Sequence, residues 1–358
     1  MRMNFSYFLT VIALALSAIS VQAVTTTLNT TPQGIVSFPL IHGTTTYLSL
    51  PLEGAPAYTG AVSATTANSI TVADSPAPWT TGALVTPAQP YFVKFLTGPQ
   101  TGRIILVTAN TTNTLTLDTT DHTTQTTPLL SSPSVAFDVQ IGNTFEVFPG
   151  ETLGTLFGTG TVQDPLAYLV GGASVTAADV VATFTTATAP ALSYFFDTTK
   201  GFWRLYPSTA NANNTILYPH AALAITRRAG NGDTTFPVMG GVTDVALLIK
   251  TLSFTTSYGS TQYPVDIALS NLQMSNWTKG TSVTNSDTLF VWNATTTPGH
   301  FDSYYQLLSD STWRKYPDKI TDVSSFVITA GTAICINKRG TVSGATSYVQ
   351  PTLPYTTN

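Results

Sequence analysis

Read for its apolar and polar positions, the chain is a succession of short runs in which β-branched or aromatic residues alternate with Thr, Ser and Asn. Gly, Pro or Asn ends each run. A period of two predicts half-buried strands. Gly34-Ile35-Val36-Ser37-Phe38-Pro39-Leu40 and Tyr47-Leu48-Ser49-Leu50-Pro51-Leu52 read this way. Their prolines cannot donate to a ladder, which confines them to strand ends, edges or bulges. Val62 to Val72 reads as strand, Asn-containing turn, strand, and the cassette recurs from Val107 to Leu117. Between them, Tyr91-Phe92-Val93-Lys94-Phe95-Leu96 turns through Gly98-Pro99 and Gly102 into Arg103-Ile104-Ile105-Leu106. Asp118 to Ser132 reads as a polar loop, and a strand pair at 135–139 and 144–148 flanks Gly142. A helical period is hard to find. The segments 164–169 and 262–274 come nearest, and neither sustains it with caps.

One stretch is written twice. Phe202-Trp203-Arg204-Leu205-Tyr206-Pro207 returns as Thr312-Trp313-Arg314-Lys315-Tyr316-Pro317. Upstream, Ala178-Asp179-Val180 and Ser193-Tyr194-Phe195 are matched by Ser286-Asp287-Thr288 and Ser303-Tyr304-Tyr305. Downstream, Leu223-Ala224-Ile225 with Arg227-Arg228 is matched by Ile334-Cys335-Ile336 with Lys338-Arg339. Matches in one order with small shifts in spacing predict a duplicated unit. The expected fold is all-β, with two duplicated β-sandwich-like units, the first interrupted by a small antiparallel β-barrel module. Residues 24–56 plus 143–240 form the first unit, 57–142 the inserted module, and 241–358 the second unit.

Composition changes this picture in two ways. Charged residues are 9% of the chain, against about 25% in a typical soluble protein, so Thr, Ser and Asn replace charge on the surface. With a net charge of −4 there is no electrostatic footprint for nucleic acid or anionic lipid. The N-terminus adds a compartment. Met1-Arg2-Met3-Asn4 is followed by an apolar run from Phe8 to Ile19 and then Val21-Gln22-Ala23. This predicts a signal peptide over 1–23, too short to span a bilayer, and a secreted or cell-surface protein with no transmembrane segment in the mature chain. Cys335, the single cysteine, can form no intramolecular disulfide and reads as a buried inert thiol.

The order of a leader, a Phe-Pro strand, Leu50-Pro51-Leu52, Tyr91-Phe92-Val93, Val107-Thr108-Ala109-Asn110, Thr152-Leu153-Gly154-Thr155-Leu156-Phe157 and two Trp-Arg units resembles a known family. Its members are secreted, paralogous, β-rich proteins of Verrucomicrobia with no assigned biochemical function. The resemblance covers nearly the whole mature chain. It departs at Leu205-Tyr206-Pro207 and Lys315-Tyr316-Pro317, where the family more often carries Lys-Val-Gly. It implies secretion and β architecture, and it supplies no catalytic residue.

Motifs for chemistry are sparse. The chain has no GxSxG and no HExxH. His42, His122, His220 and His300 lack metal-ligand spacing. Asp179 and Asp287 fall at equivalent points of the two copies, which favours a structural role over an acid–base pair. Gly230-Asn231-Gly232-Asp233 reads as a hairpin turn, too short for a calcium loop. Asn29, Asn110, Asn213, Asn276 and Asn293 lie in N-x-[ST] triplets, which such a Thr-rich chain produces by composition. The remaining candidates for ligand binding are Trp203, Tyr206, Trp313 and Tyr316: either core anchors, the favoured reading, or an exposed platform for sugar rings. The sequence thus predicts a non-catalytic extracellular structural or adhesive protein with no metal or cofactor. Its partner would be extracellular polysaccharide or its own kind. A glycan-binding accessory protein is the alternative.

Overall fold

Strand accounts for 43% of the residues and helix for 3%, as alternation rich in Thr and β-branched residues demands. The computed structural model describes residues 32–119, 138–184, 192–252, 256–272, 274, 277–294, 299–339, 346–349 and 351–355. The predicted leader, His122, Asn29, Asn276 and most of the strand expected at 135–139 lie outside them.

In chain order the strands begin with β1 (Gln33–Leu40) and β2 (Thr45–Ser49). Eight follow: β3 (Tyr58–Ala61), β4 (Ala64–Thr65), β5 (Ser69–Thr71), β6 (Val85–Thr86), β7 (Gln89–Phe95), β8 (Ile104–Asn110), β9 (Thr114–Leu117) and β10 (Thr144–Pro149). Next come β11 (Glu151–Thr152), β12 (Val180–Thr183), β13 (Leu192–Asp197), β14 (Phe202–Leu205), β15 (Ile216–Leu217), β16 (Ala222–Thr226) and β17 (Thr234–Gly241). The last nine are β18 (Ile249–Leu252), β19 (Thr256–Ser260), β20 (Ile267–Ala268), β21 (Thr288–Asn293), β22 (His300–Gln306), β23 (Trp313–Lys315), β24 (Val327–Ile328), β25 (Ala333–Asn337) and β26 (Thr346–Val349).

Pairing sorts these strands into two sets. In the first, β14-β13-β12-β16-β2 form a five-stranded antiparallel sheet, flanked by the ribbons β1-β17 and β11-β15. In the second, β23-β22-β21-β25-β19 form a sheet of the same order, flanked by β18-β26 and β20-β24. Partner for partner, the nine strands of one set answer the nine of the other. The strands β3 to β10 stand between β2 and β11 as a curled half-barrel sheet, ordered β3-β10-β7-β8-β9-β5-β4 with β6 on β7.

The segment Thr144–Pro149 is therefore not the resumption of the first unit that the sequence suggests. It pairs with β3 and β7 as an inner strand of the curled sheet. Alternation explains its place: Phe145 and Val147 enter the core of the curled sheet, while Phe148 points the other way, into the core of the second set. Both faces of the curled sheet are thus covered. Val93 and Phe95 lie inside it, whereas Phe92, Ile104 and Leu106 join the core that contains Leu289, Tyr304 and Trp313. The insertion interrupts one set of strands and packs on the other. Gly102 lets it do so. Its φ is +81°, and an added Cβ would sit 2.0 Å from the Ala246 carbonyl oxygen, where Leu248 N–H donates to Gly102 O at 3.0 Å.

The two five-stranded sheets meet through a reciprocal aromatic contact. Tyr47 of β2 lies 4.3 Å from the Trp292 ring, and Tyr258 of β19 lies 4.2 Å from the Phe184 ring. Tyr47 and Tyr258 occupy matching positions on β2 and β19, and Phe184 and Trp292 matching positions along β12 and β21. The contact is self-complementary, as in an isologous dimer interface.

Neither segment considered for helix is one. The segment 164–169 has no helix, and within 262–274 only Leu269–Asn271 makes a 3-10 turn. Among the described residues the α-helical turn is Leu153–Phe157, capped by Thr152: its hydroxyl accepts from Thr155 N–H, while Thr155 Oγ1 accepts from Thr152 N–H. A Thr in the place of the usual Glu or Gln hides this capping box from a sequence reading.

Candidate functional site

Trp203 and Trp313 open the edge strands β14 and β23 of the two sheets and are buried, at 0% and 2% exposure. Trp203 packs against Phe157 and Phe196, and its indole N–H donates to Gly158 O at 2.9 Å. Trp313 packs against Trp277 at 5.7 Å. Neither indole faces solvent, so neither can serve as a platform for sugar rings. An edge strand buries its apolar face as an inner strand does, and that face carries both rings. Tyr206 and Tyr316, past the strand ends, are exposed at 55% and 50%. The four candidates therefore do not form one surface.

The matched acids brace their own copies. Asp179 accepts from Val170 N–H, Arg227 Nη1 and Arg228 N–H, each at 2.9 Å, and from Asn231 Nδ2 at 2.7 Å. Asp287 accepts from Thr278 N–H at 2.6 Å, Lys338 Nζ at 2.5 Å and Arg339 N–H at 2.5 Å. The second residue of each basic pair then donates to carbonyls upstream: Arg228 to Ala178 and Val175, Arg339 to Ser286 and Val283. Both carboxylates are fully buried, and charge-assisted bonds from several donors are what make such burial tolerable.

A second buried cluster was not legible in the sequence. Lys94 of β7 points out of the curled sheet, directly opposite Glu146 of β10. Its Nζ lies 2.6 Å from Glu53 and 2.7 Å from Glu146, with Asp244 at 3.6 Å. Glu53 also meets His220 Nε2 at 3.0 Å. Burial works to raise the Glu53 pKa, but Lys94 and His220 overcome it and hold the carboxyl at about 2. Burial raises that of Glu146. The acids come from separate parts of the chain, so only the topology brings them together. Lysine occupies their centre and is buried with Glu53, at 2% and 4% side-chain exposure, while Asp244 reaches the surface. It clamps the inserted sheet between the two sets of strands.

The other histidines stand apart. His42 pairs with Asp233 at 2.6 Å on the surface, and His300 meets Asp302 at 3.1 Å. Cys335 is buried, and burial pushes its thiol well above the ordinary range.

Two concavities stand out among the described residues. One, of about 350 Å³, lies where the curled sheet joins the first set, walled by Leu50, Phe148, Leu217, Phe236 and Met239, with Glu151 on its lining. The other, of about 550 Å³, lies between the two sets. It is lined from the first set by Phe38, Tyr47 and the threonines 44–46, and from the second by residues 291–294, Asp302 and residues 326–330. Both fall in the size range of ligand pockets. Comparison with protein-family models, with curated proteins and with solved structures returned no match.

Proposed function

We propose that this is a secreted, non-catalytic structural or adhesive protein, built from two duplicated β-sandwich-like units with an inserted half-barrel. The observation that carries this reading is the pair of matched braces. Asp179 and Asp287, the acids that the repeat places equivalently, each hold their own basic pair and are shut away from solvent. Equivalent acids in equivalent environments have no basis for splitting into a proton donor and an acceptor. The Lys94 cluster supports the same reading, since Glu53 and Glu146 are buried against Lys94 within the fold. A Thr-rich, charge-poor surface makes weak polar contacts, and two linked units multiply them.

Export is part of the proposal and rests on the leader over 1–23. Intact mass of protein recovered from the medium should correspond to a chain beginning after Ala23. The function is tested by incubating that protein with producer cells, with isolated cell-wall polysaccharide and with itself in sedimentation analysis. Retention on one of these is expected. Turnover of a hydrolase substrate that disappears in Glu53→Gln or His220→Asn would overturn the reading.

A second reading, glycan binding, is favoured by one observation: the 550 Å³ groove between the units combines an aromatic edge with hydroxyl and amide side chains.

A further inference from the structure

The two units differ in polarity at a diagonal that borders the groove between them. In the first, Leu192 of β13 and Leu205 of β14 pack partly buried on the core. The registers Thr183↔Leu192 and Val291↔Asp302 put Asp302 at the place of Leu192, and Tyr194↔Leu205 and Tyr304↔Lys315 put Lys315 at that of Leu205. An apolar pair has become an ion pair of 2.8 Å. Asp302 is itself buried, at 7% exposure, and also accepts from Asn293 Nδ2 at 2.9 Å and meets His300 Nε2 at 3.1 Å. Nothing in the core of the second unit requires this polarity, since the first folds the same strands around leucine.

Asp302 and Asn293 line the groove between the units. Thr44, Thr45 and Thr46 at the start of β2 line it too, as does Thr329 on the loop after β24. Trp292, Phe38 and Val327 supply apolar surface along the same walls. Among the described lining residues the only ionised side chain is that of Asp302, and its charge is answered by Lys315.

We propose that this groove is a binding site for a neutral saccharide chain. A sugar presents hydroxyls at its rim and C–H groups on its faces. A groove of Thr hydroxyls and a carboxamide beside apolar walls complements both, and a compensated carboxylate offers a strong acceptor without selecting for charge. The site deepens the adhesive reading, on which it rests for the choice of an extracellular ligand. It moves binding from the repeated Trp residues to a place where Asn293 and Asp302 of the second unit and Thr44, Thr45 and Thr46 of the first line one groove.

The test uses the secreted full-length chain and soluble neutral hexasaccharides of α-1,4-glucan, β-1,4-glucan, β-1,4-xylan and β-1,4-N-acetylglucosamine, with binding read by calorimetry and saturation-transfer NMR. At least one should bind. Thr329→Trp, which fills the groove from an exposed position, and Asn293→Ala, which removes a polar contact, should each weaken it by roughly tenfold or more. Far-UV circular dichroism checks that both variants fold, and the exposed position of Thr329 keeps the test open should Asn293→Ala fail. A hexasaccharide that binds wild type and Thr329→Trp equally overturns the groove and leaves the adhesive reading standing. So does retention on cells or polysaccharide with no hexasaccharide bound. Absence of both retention and binding overturns both.

Discussion

The two nine-strand units keep the same pairing but not the same side chains, and the differences are not spread evenly. Several positions that face the core hold their character: Trp203 and Trp313 are buried, as are Tyr194 and Tyr304, and Ile225 and Ile336. The braces keep their geometry with altered chemistry, Arg227 becoming Lys338 on the same carboxylate. In the core beside the tryptophan, Leu169 of the first unit is answered by Trp277 of the second, whose ring lies 5.7 Å from Trp313. Polarity changes beside the tryptophans, where Phe196 is answered by Gln306, and at the Leu192–Leu205 diagonal, where the second unit borders the groove. The comparison teaches that packing fixes what a β unit must keep. Change accumulates where the sheet margin meets solvent.

The sharpest way to break the equivalence is to remove the tryptophans singly. Trp203→Ala and Trp313→Ala should each cost about 3–5 kcal/mol of unfolding free energy, because both rings are enclosed on all sides. Urea titration measures the loss. A cost below about 1 kcal/mol in one unit would show that its ring can be replaced by local collapse, and that the two cores are not alike.

The next effect belongs to the first unit alone, which carries the insertion and its clamp. Glu53 is held at about 2 in the fold against an ordinary 4.5. As pH falls, the unfolded chain therefore takes up a proton before the folded one does. The stabilisation is complete above about pH 4.5 and is lost as pH approaches 2, with a size of up to about 3 kcal/mol. Glu146, whose pKa is raised by burial, works in the opposite sense, since protonating it relieves a cost. The urea midpoint should still fall between pH 5 and 2.5 in wild type, and fall less steeply in Glu53→Gln. Equal slopes would remove Glu53 from the acid sensitivity.

Exchanging the diagonal sharpens the comparison further. Lys315→Leu leaves Asp302 buried with one cation fewer and should cost about 1–3 kcal/mol. Adding Asp302→Leu recreates the diagonal of the first unit and should recover most of that loss, because an apolar pair of similar volume replaces a buried ion pair at little or no cost. A double variant weaker than Lys315→Leu would show that the second unit needs the polarity to fold, and would weaken the case that it serves a ligand.

How much of this was legible in the sequence follows from the range of the forces involved. Strands such as 33–40 and 104–110 showed themselves through their own alternation, and the Trp-Arg cassettes marked the sheet edges by simple recurrence. The brace was half visible: Asp179 and Asp287 stood at matching places, but nothing local joined them to Arg227 and Lys338. The Lys94 clamp was invisible, because Glu53, Glu146 and His220 reach it through pairing between distant strands. Lys94 itself sat in an apolar run, a charge without an evident reason. The groove depends on how one unit lies against the other, which no local pattern encodes.

The smallest effect concerns the tyrosines that close the two cassettes. Tyr206 and Tyr316 are half exposed, each just beyond an edge strand whose tryptophan is buried. Each keeps its backbone bond to the neighbouring strand, Tyr206 N–H to Ser193 O at 2.9 Å and Tyr316 N–H to Ser303 O at 2.8 Å. Substitution by alanine leaves those bonds in place and removes only a ring that is largely in water. Tyr206→Ala and Tyr316→Ala should therefore shift stability by no more than about 0.5 kcal/mol, and by the same amount in both units. The contrast with the tryptophans is what the cassette predicts. In a strand of period two, burial of the ring at one position does not depend on the ring three residues later, on the opposite side of the sheet edge. A loss above about 1 kcal/mol at one tyrosine alone would mean that its ring is covered in solution, by its own chain or by a second copy. Repeating the titration at several protein concentrations separates the two, since only cover by a second copy makes the loss depend on concentration.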